Sequence, residues 1–244
     1  MGHRVLAIGD IHGCLIPLQA LVRRLALEPS DTIIFLGDYI DRGPNSKEVI
    51  DFLILLKSKF NVVSILGNHE EMMIASRDDQ RYFDAWIKFG GKSTLESYNL
   101  PIEKKSLYSI PKPHWEFMLD CTEYYETNSH IFTHATIDAD INIREQNAEE
   151  LRWNKFLSPD PHVSDKVVVC GHMSQKTGKI LSYGHSICID TFAHGGGWLT
   201  CLNTNNNKYF QANNSGKFQQ GILKRNYFKH LLQKAEQVFG KKRT

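Results

Sequence analysis

Residues 32–43, TIIFLGDYIDRG, hold the pattern that decides the fold: an apolar run, Thr32 to Leu36, stops at Gly37 and gives way to two aspartates and an arginine. The same construction appears twice more. Val5 to Ile8 runs into GDIHG at 9–13, and Val62 to Leu66 runs into GNHE at 67–70. Each cluster is followed by a helical pattern, so the first third of the chain reads as a βαβ rhythm with polar residues at the carboxyl end of each strand. Asn45 and Glu48 stand in the N-cap to N3 relation that opens a helix just after Pro44. Any one cluster alone, GDIHG included, reads equally well as a turn.

Outward from these units the pattern changes. Residues 77–125 carry aromatics, the Gly90-Gly91 pair and three prolines, and read as a mostly helical cover over the sheet. Strand-like runs return at His130 to Thr133, Val167 to Cys170, Ser186 to Ile189, Trp198 to Leu202 and Tyr209 to Ala212. Asn205-Asn206-Asn207 joins the last two as a hairpin turn, so the later half is expected to be antiparallel. Apolar spacing from Phe228 to Phe239 predicts a terminal helix over about 222–240. The expected fold is α/β, a two-layered mixed sheet sandwich flanked by helices, in a single domain spanning 1–244.

Composition limits the function classes. With 41% hydrophobic and 23% charged residues the chain has enough apolar matter for a sizeable core and enough charge to stay in solution. No apolar stretch reaches the roughly 20 residues of a membrane helix, and Met1 to Arg4 lead into a strand-like run rather than a signal peptide, so a cytoplasmic protein is expected. Five scattered cysteines without a CxxC pair argue against a disulfide framework or a zinc knot. Net charge is +2, but residues 224–244 carry seven Lys and Arg against Glu236 alone. Such a tail reads as the solvated face of the terminal helix, with nucleic-acid binding the less favoured reading.

The strand ends supply the chemistry. Asp10, His12, Asp38, Asn68, His134 and His172 each follow an apolar run, and strand ends of an open α/β sheet meet in one crevice. Oxygen donors mixed with imidazoles suit a pair of divalent transition ions rather than a lone structural zinc. One decoy falls away: Gly90-Gly91-Lys92-Ser93 resembles the end of a phosphate-cradling loop, but Trp86 occupies the position where that loop needs its first glycine. Asp190-Thr191 and the loop from His194 to Gly197 stand near the crevice, as a turn or as a substrate contact.

With GDIHG, GDYIDRG, GNHE, Thr133-His134-Ala135 and Cys170-Gly171-His172 in this order, residues 4–203 resemble the metallophosphoesterase superfamily, and within it the bacterial branch of the phosphoprotein phosphatases. The resemblance implies one ion held by Asp10, His12 and Asp38, and a second held by Asp38, Asn68, His134 and His172. It implies manganese, with iron, zinc or cobalt tolerated, and in-line attack by a solvent-derived nucleophile shared between the ions. Arg42 would bind phosphate through its planar fork. His69 would protonate the leaving alkoxide, with Asp41 as its partner; Glu70 is an alternative orienter or a first-turn helix charge. The family's second phosphate-binding arginine follows a tryptophan. Here Leu151-Arg152-Trp153-Asn154-Lys155 offers Lys155 after the tryptophan and Arg152 before it, with Lys155 preferred. The Gly-His-x-His signature of diesterase relatives is incomplete, because Gly171-His172 is followed by Met173-Ser174.

The expected function is therefore a dinuclear-metal phosphomonoesterase acting on phosphoserine or phosphothreonine in proteins, or on small phosphate esters. The enzymatic alternative is a dinucleoside polyphosphate hydrolase or phosphodiesterase. The non-enzymatic one is a scaffold or a nucleic-acid binder using the basic tail.

Overall fold

The computed structural model describes residues 3–224. Strands β1 (Val5–Ile8), β2 (Thr32–Phe35) and β3 (Asn61–Ser64) pair in parallel, joined by crossover helices α1 (Leu15–Leu25) and α2 (Ser46–Lys57). Asn45 is the N-cap of α2, but its side chain makes no capping bond, so only the position of the helix start follows the sequence signal. After β3 come α3 (Asn68–Ala75), α4 (Gln80–Trp86), a wide π turn at Ile87–Gly91, α5 (Lys92–Ser97), a 3-10 turn at Lys104–Ser109 and α6 (Lys112–Leu119). The helical cover thus ends at α6, and β4 (Tyr124–Glu126) begins a second sheet.

That second sheet has the order β4, β5 (His130–Thr133), β6 (Val167–Cys170), β8 (Ser186–Cys188), β7 (Leu181–Ser182). Short helix α7 (Glu150–Trp153) lies in the long connection between β5 and β6. The chain then returns to the first sheet through β9 (Asp190–Thr191), β10 (Trp198–Asn203), β11 (Lys208–Ala212) and β12 (Phe218–Ile222), giving the order β12-β11-β10-β1-β2-β3 with β9 on β10.

One expectation needs correction. The later half is not uniformly antiparallel: β5, β6 and β8 run parallel, while β10, β11 and β12 are antiparallel. Parallel pairing needs a long crossover, and residues 134–166 supply one that is mostly irregular, so no helical period announces it. Of the basic helix expected over about 222–240, the described residues include only 222–224, where Ile222 is the last residue of β12. The remainder of that range lies outside the described residues.

Alternation along the strands explains the layering. Leu6, Ile8, Ile33 and Phe35 pack with Leu18 and Leu21 of α1 and Val49 and Leu53 of α2. Their neighbours Val5, Ala7, Ile34 and Leu36 face the other way and pack with Phe132, Val169, Ile187, Ile189 and Leu202 between the sheets. Ile131 and Val168 on the far face of the second sheet are covered by Ile137, Ile143 and Leu151. The order is helices, sheet, sheet, cover. Phe132 is fully buried between the sheets. Truncating such a ring to alanine costs about 3–5 kcal/mol and would loosen the sheets at the edge where the polar clusters emerge.

Candidate metal centre and active site

The two sheets put the carboxyl ends of β1, β2, β3, β5 and β6 at one edge, and hydrogen bonds between the emerging loops lock them together. Ile11 and His12 donate their backbone N–H groups to Asp38 O, and Gly13 N donates to Tyr39 O. His134 Nδ1 lies 2.8 Å from Leu36 O, which ties the second sheet to the first. Close approach requires glycine in two places. At Gly37, φ is +99° and a Cβ would stand 2.7 Å from Gly67 Cα; at Gly171 a Cβ would stand 2.0 Å from Asp10 Oδ1. His12, Asp38, Asp41, Arg42 and His172 are all held at positive φ, between 46° and 72°. Left-handed backbone at non-glycine residues costs energy, so its concentration here marks positions fixed by their surroundings.

Asp38 sits at the centre. Its Oδ1 is 3.4 Å from His134 Nε2, and its Oδ2 is 3.3 Å from His12 Nε2 and 3.9 Å from His69 Nε2. Two buried donor triads follow, Asp10–Asp38–His134 and His12–Asp38–His69, each with its donor atoms within 4.8 Å of one another. Asn68 Oδ1 adds a further oxygen, 3.0 Å from His134 Nε2 and 3.2 Å from His172 Nδ1. His69 N, in the first turn of α3, donates to Asp38 Oδ1 at 3.1 Å, placing the positive end of that helix on the shared carboxylate.

The ring tautomers suit cation binding. His12 Nδ1 lies 2.9 Å from Ile40 O, and His134 Nδ1 faces Leu36 O; a carbonyl only accepts, so both rings carry a proton on Nδ1, and each in its neutral form has its lone pair on Nε2. Burial holds His12 well below the usual imidazole range, and burial together with His134 lowers His172 to about 4. Burial alone would discharge Asp38, yet the rings of His134, His69 and His12 hold it below the ordinary carboxylate range. Asp10 goes the other way, raised by burial and then by Asp190 and Asp38. A buried donor set of two carboxylates, three imidazoles and one amide oxygen contains no lysine or arginine of its own, and divalent cations supply the positive charge. The donors are therefore placed to suit divalent cations, with Asp38 common to both triads, but the triads put Asp10 with His134 and His12 with His69 instead of Asp10 with His12.

Beside the triads lies an acid-base pair. His69 Nδ1 is 2.7 Å from Asp41 Oδ2. Asp41 is fully buried and accepts two more bonds, from Trp86 Nε1 at 2.8 Å and from the Thr94 hydroxyl at 2.6 Å. Burial opposes charge on His69, but Asp38 and Asp41 outweigh it and its pKa is raised. Glu70 is the first-turn acid of α3, as one of the two sequence readings has it, and its bonds reach further. Its Oε2 accepts from Asp38 N and Gly67 N, and its Oε1 from Tyr39 N and Ile40 N, so one buried carboxylate holds the loop that carries Asp38. Burial, then Asp38, pushes that carboxyl up to about 8 against the pull of these donors.

Arg42 is exposed at the mouth, with Nη1 donating to His12 Nε2 at 2.9 Å and its backbone N–H to Gly90 O. Arg152 is placed differently from expectation. It is buried, with one terminal nitrogen bonded to Glu123 and the other to Glu71 Oε1 at 2.6 Å, so its guanidinium is committed to carboxylates and is not a free phosphate contact. Trp153 Nε1 bonds the other Glu71 oxygen at 2.6 Å, and its ring lies 6.3 Å from that of His172. Lys155 is exposed two residues beyond.

Sequence reading missed Trp86 and Thr94, which lie 45 and 53 residues from Asp41, and it passed over Trp86 as the residue that disqualified a decoy. Asp190, noted only as near the crevice, accepts from Ser174 Oγ at 2.6 Å and from Phe192 N at 3.0 Å.

The family model for the calcineurin-like phosphoesterases matches residues 3–219. The chain belongs to this family. As a calcineurin-like phosphoesterase it is similar to curated bacterial proteins named bis(5'-nucleosyl)-tetraphosphatase, symmetrical. One from Pseudomonas fluorescens strain SBW25 is 39% identical over 71 residues, 29% of this chain and 24% of that relative. One from Pectobacterium atrosepticum is 41% identical over 69 residues, 28% of this chain and 24% of that relative. The chain therefore matches about a quarter of the length of these relatives. Among solved structures, a putative diadenosine tetraphosphatase superposes with a TM-score of 0.61 at 20% identity, covering 89% of this chain and 92% of that one. A cold-active protein tyrosine phosphatase superposes at 0.62 and 19%, covering 90% and 79%. These likenesses establish the shared fold. Among the described residues, no helix of this phosphoesterase is long and apolar enough to cross a membrane.

Proposed function

We propose that this phosphoesterase is a dinuclear-metal phosphomonoesterase, with phosphoserine or phosphothreonine in proteins as its leading substrate class. The observation that carries the metal part is Asp38, whose Oδ2 faces His12 and whose Oδ1 faces His134. Asp10, His12, Asp38, Asn68, His134 and His172 would hold the ions. When bound, two such ions lower the pKa of a water and neutralise charge developing on the phosphoryl oxygens.

The chain's own residues do the rest. Arg42 binds the phosphate with a planar fork that matches two of its oxygens. His69 holds a proton on Nε2 for the leaving oxygen, while Asp41 fixes the ring through Nδ1. A cation on Asp38 would cancel part of that carboxylate's pull, leaving Asp41 as the partner that keeps His69 protonated. This buried acid favours the monoester reading, because an alkoxide leaving group needs a proton and a nucleotide phosphate does not. Arg152 is committed elsewhere, so Lys155 remains the sequence-derived candidate for a second cationic contact.

The second reading, hydrolysis of dinucleoside tetraphosphates, is favoured by the names of the matched relatives. Competition decides between them. With manganese supplied, purified protein is expected to turn over a phosphoserine peptide faster than diadenosine tetraphosphate. The reverse order would move the assignment to the phosphoanhydride, and activity on neither would reject both readings.

A further inference from the structure

The loop from Phe192 to Gly197 is built more firmly than a plain turn needs. Phe192 N donates to Asp190 Oδ1, Gly195 N and Gly197 N both donate to Phe192 O, and Asn214 Nδ2 donates to Ala193 O at 2.9 Å. Phe192 itself is held at φ 66°, a costly conformation for an aromatic residue that persists only where surroundings impose it. The loop presents one functional side chain. His194 packs its ring edge-on between two others, 4.6 Å from His12 and 4.8 Å from Phe192. Arg42 Nη1 reaches the same His12 ring, 2.9 Å from its Nε2.

Its Nδ1 is buried without a hydrogen-bond partner among the described residues, while the ring as a whole is only half-buried. A stranded N–H on the closed side would cost more than a bare lone pair there, so the proton belongs on Nε2 at the open edge. Nε2 donates in that neutral tautomer and in the imidazolium alike. The stack on His12 beside Arg42 fixes where this donor stands.

We propose that His194 Nε2–H is the second hydrogen-bond donor to the phosphoryl group held by Arg42, taking the place for which the sequence offered Lys155 or Arg152. The proposal rests on the phosphoester-hydrolase reading and names a further substrate contact within it. A donor from this loop stands beside His12, whereas Trp153, two residues before Lys155, has its ring beside His172.

The test uses the manganese-loaded chain with p-nitrophenyl phosphate as substrate and inorganic phosphate as competitive inhibitor. His194→Phe keeps a ring in the stack but removes the donor, His194→Gln returns an N–H near the same point, and Lys155→Ala is run alongside. His194→Phe is expected to raise KM and weaken phosphate inhibition by about 10- to 100-fold, as loss of a bond to a charged partner does, with bound manganese and the thermal midpoint unchanged. His194→Gln is expected to recover most of that loss. Unchanged phosphate inhibition in His194→Phe overturns the proposal, and so does a loss of manganese that accounts for the whole effect. A loss confined to Lys155→Ala assigns the contact to that lysine instead. An active wild type with an indifferent His194→Phe rejects this contact alone. A wild type that neither hydrolyses phosphate esters nor binds phosphate rejects the hydrolase reading with it.

Discussion

His69 Nδ1 stands 2.7 Å from Asp41 Oδ2, and both side chains are closed off from solvent. A buried imidazole would ordinarily lose its proton, but Asp38 and then Asp41, which has no other ion pair among the described residues, hold it in place. Trp86 and Thr94 complete the arrangement by donating to the same carboxylate, so Asp41 cannot turn away from the ring without leaving donors stranded.

Asp41→Asn is expected to lower kcat on a phosphoserine peptide by about 10²- to 10⁴-fold, the range of general acid catalysis. With p-nitrophenyl phosphate, whose leaving group needs less help, the drop is expected to be much smaller. Steady-state kinetics on both substrates checks this; equal losses would remove His69 from the role of acid.

The pH profile carries the sign of the same interaction. Burial lowers His69, but Asp38 and then Asp41 raise it above the ordinary imidazole value. The acid form is present below that raised pKa and lost above it, so kcat for a poor leaving group falls on the alkaline side. Asp41→Asn removes part of the upward pull, and the alkaline limb is expected to move to lower pH. A limb that stays where it was would assign it to some other group.

Glu70→Gln replaces an acceptor that serves four backbone N–H groups with an amide that turns its NH₂ toward two of them. Leaving buried donors unpaired costs about 1–3 kcal/mol. The expected result is a lowered denaturation midpoint together with weaker manganese binding, since the same loop carries Asp38. Intact metal affinity in a destabilised variant would show that the loop keeps its shape without this carboxylate.

Cation binding is expected to release protons. Burial, Asp190 and Asp38 raise Asp10, so in metal-free protein this carboxyl retains a proton that a divalent ion must displace. Calorimetric titration with manganese in two buffers of different ionisation enthalpy would reveal the release as a buffer-dependent heat. Manganese at a hundred times its Kd should also stabilise the fold by about 2.7 kcal/mol, and a chelator should reverse it. Identical heats in both buffers would count against a protonated Asp10.

Much of this was open to reading from the chain because the site's residues follow their strands directly. Val167–Cys170 is a four-residue strand as the apolar run suggests, and Gly171-His172 comes next. What escaped notice depends on distance. Nothing near Trp86 or Thr94 signals a carboxylate 45 or 53 residues away, and Arg152 shows its charge in the sequence but not that Glu71 and Glu123 will claim it. Glu70 satisfies a local rule, an acid in the first turn of a helix, that conceals its bonds to the loop at 38–40. Strands β7 and β9 have two residues each, too few for alternation to show.

The left-handed backbone at His12, Asp38, Asp41, Arg42 and His172 has a further bearing on how this chain responds to engineering. Arg42 is the exposed one of the five, and glycine there would relieve about 1–2 kcal/mol of steric cost without emptying a buried site. A library screened for heat resistance alone would therefore drift toward glycine at Arg42, and its hardiest members would lack the guanidinium proposed to hold the phosphate. Selection for durability in this phosphoesterase has to be coupled to turnover from the first round.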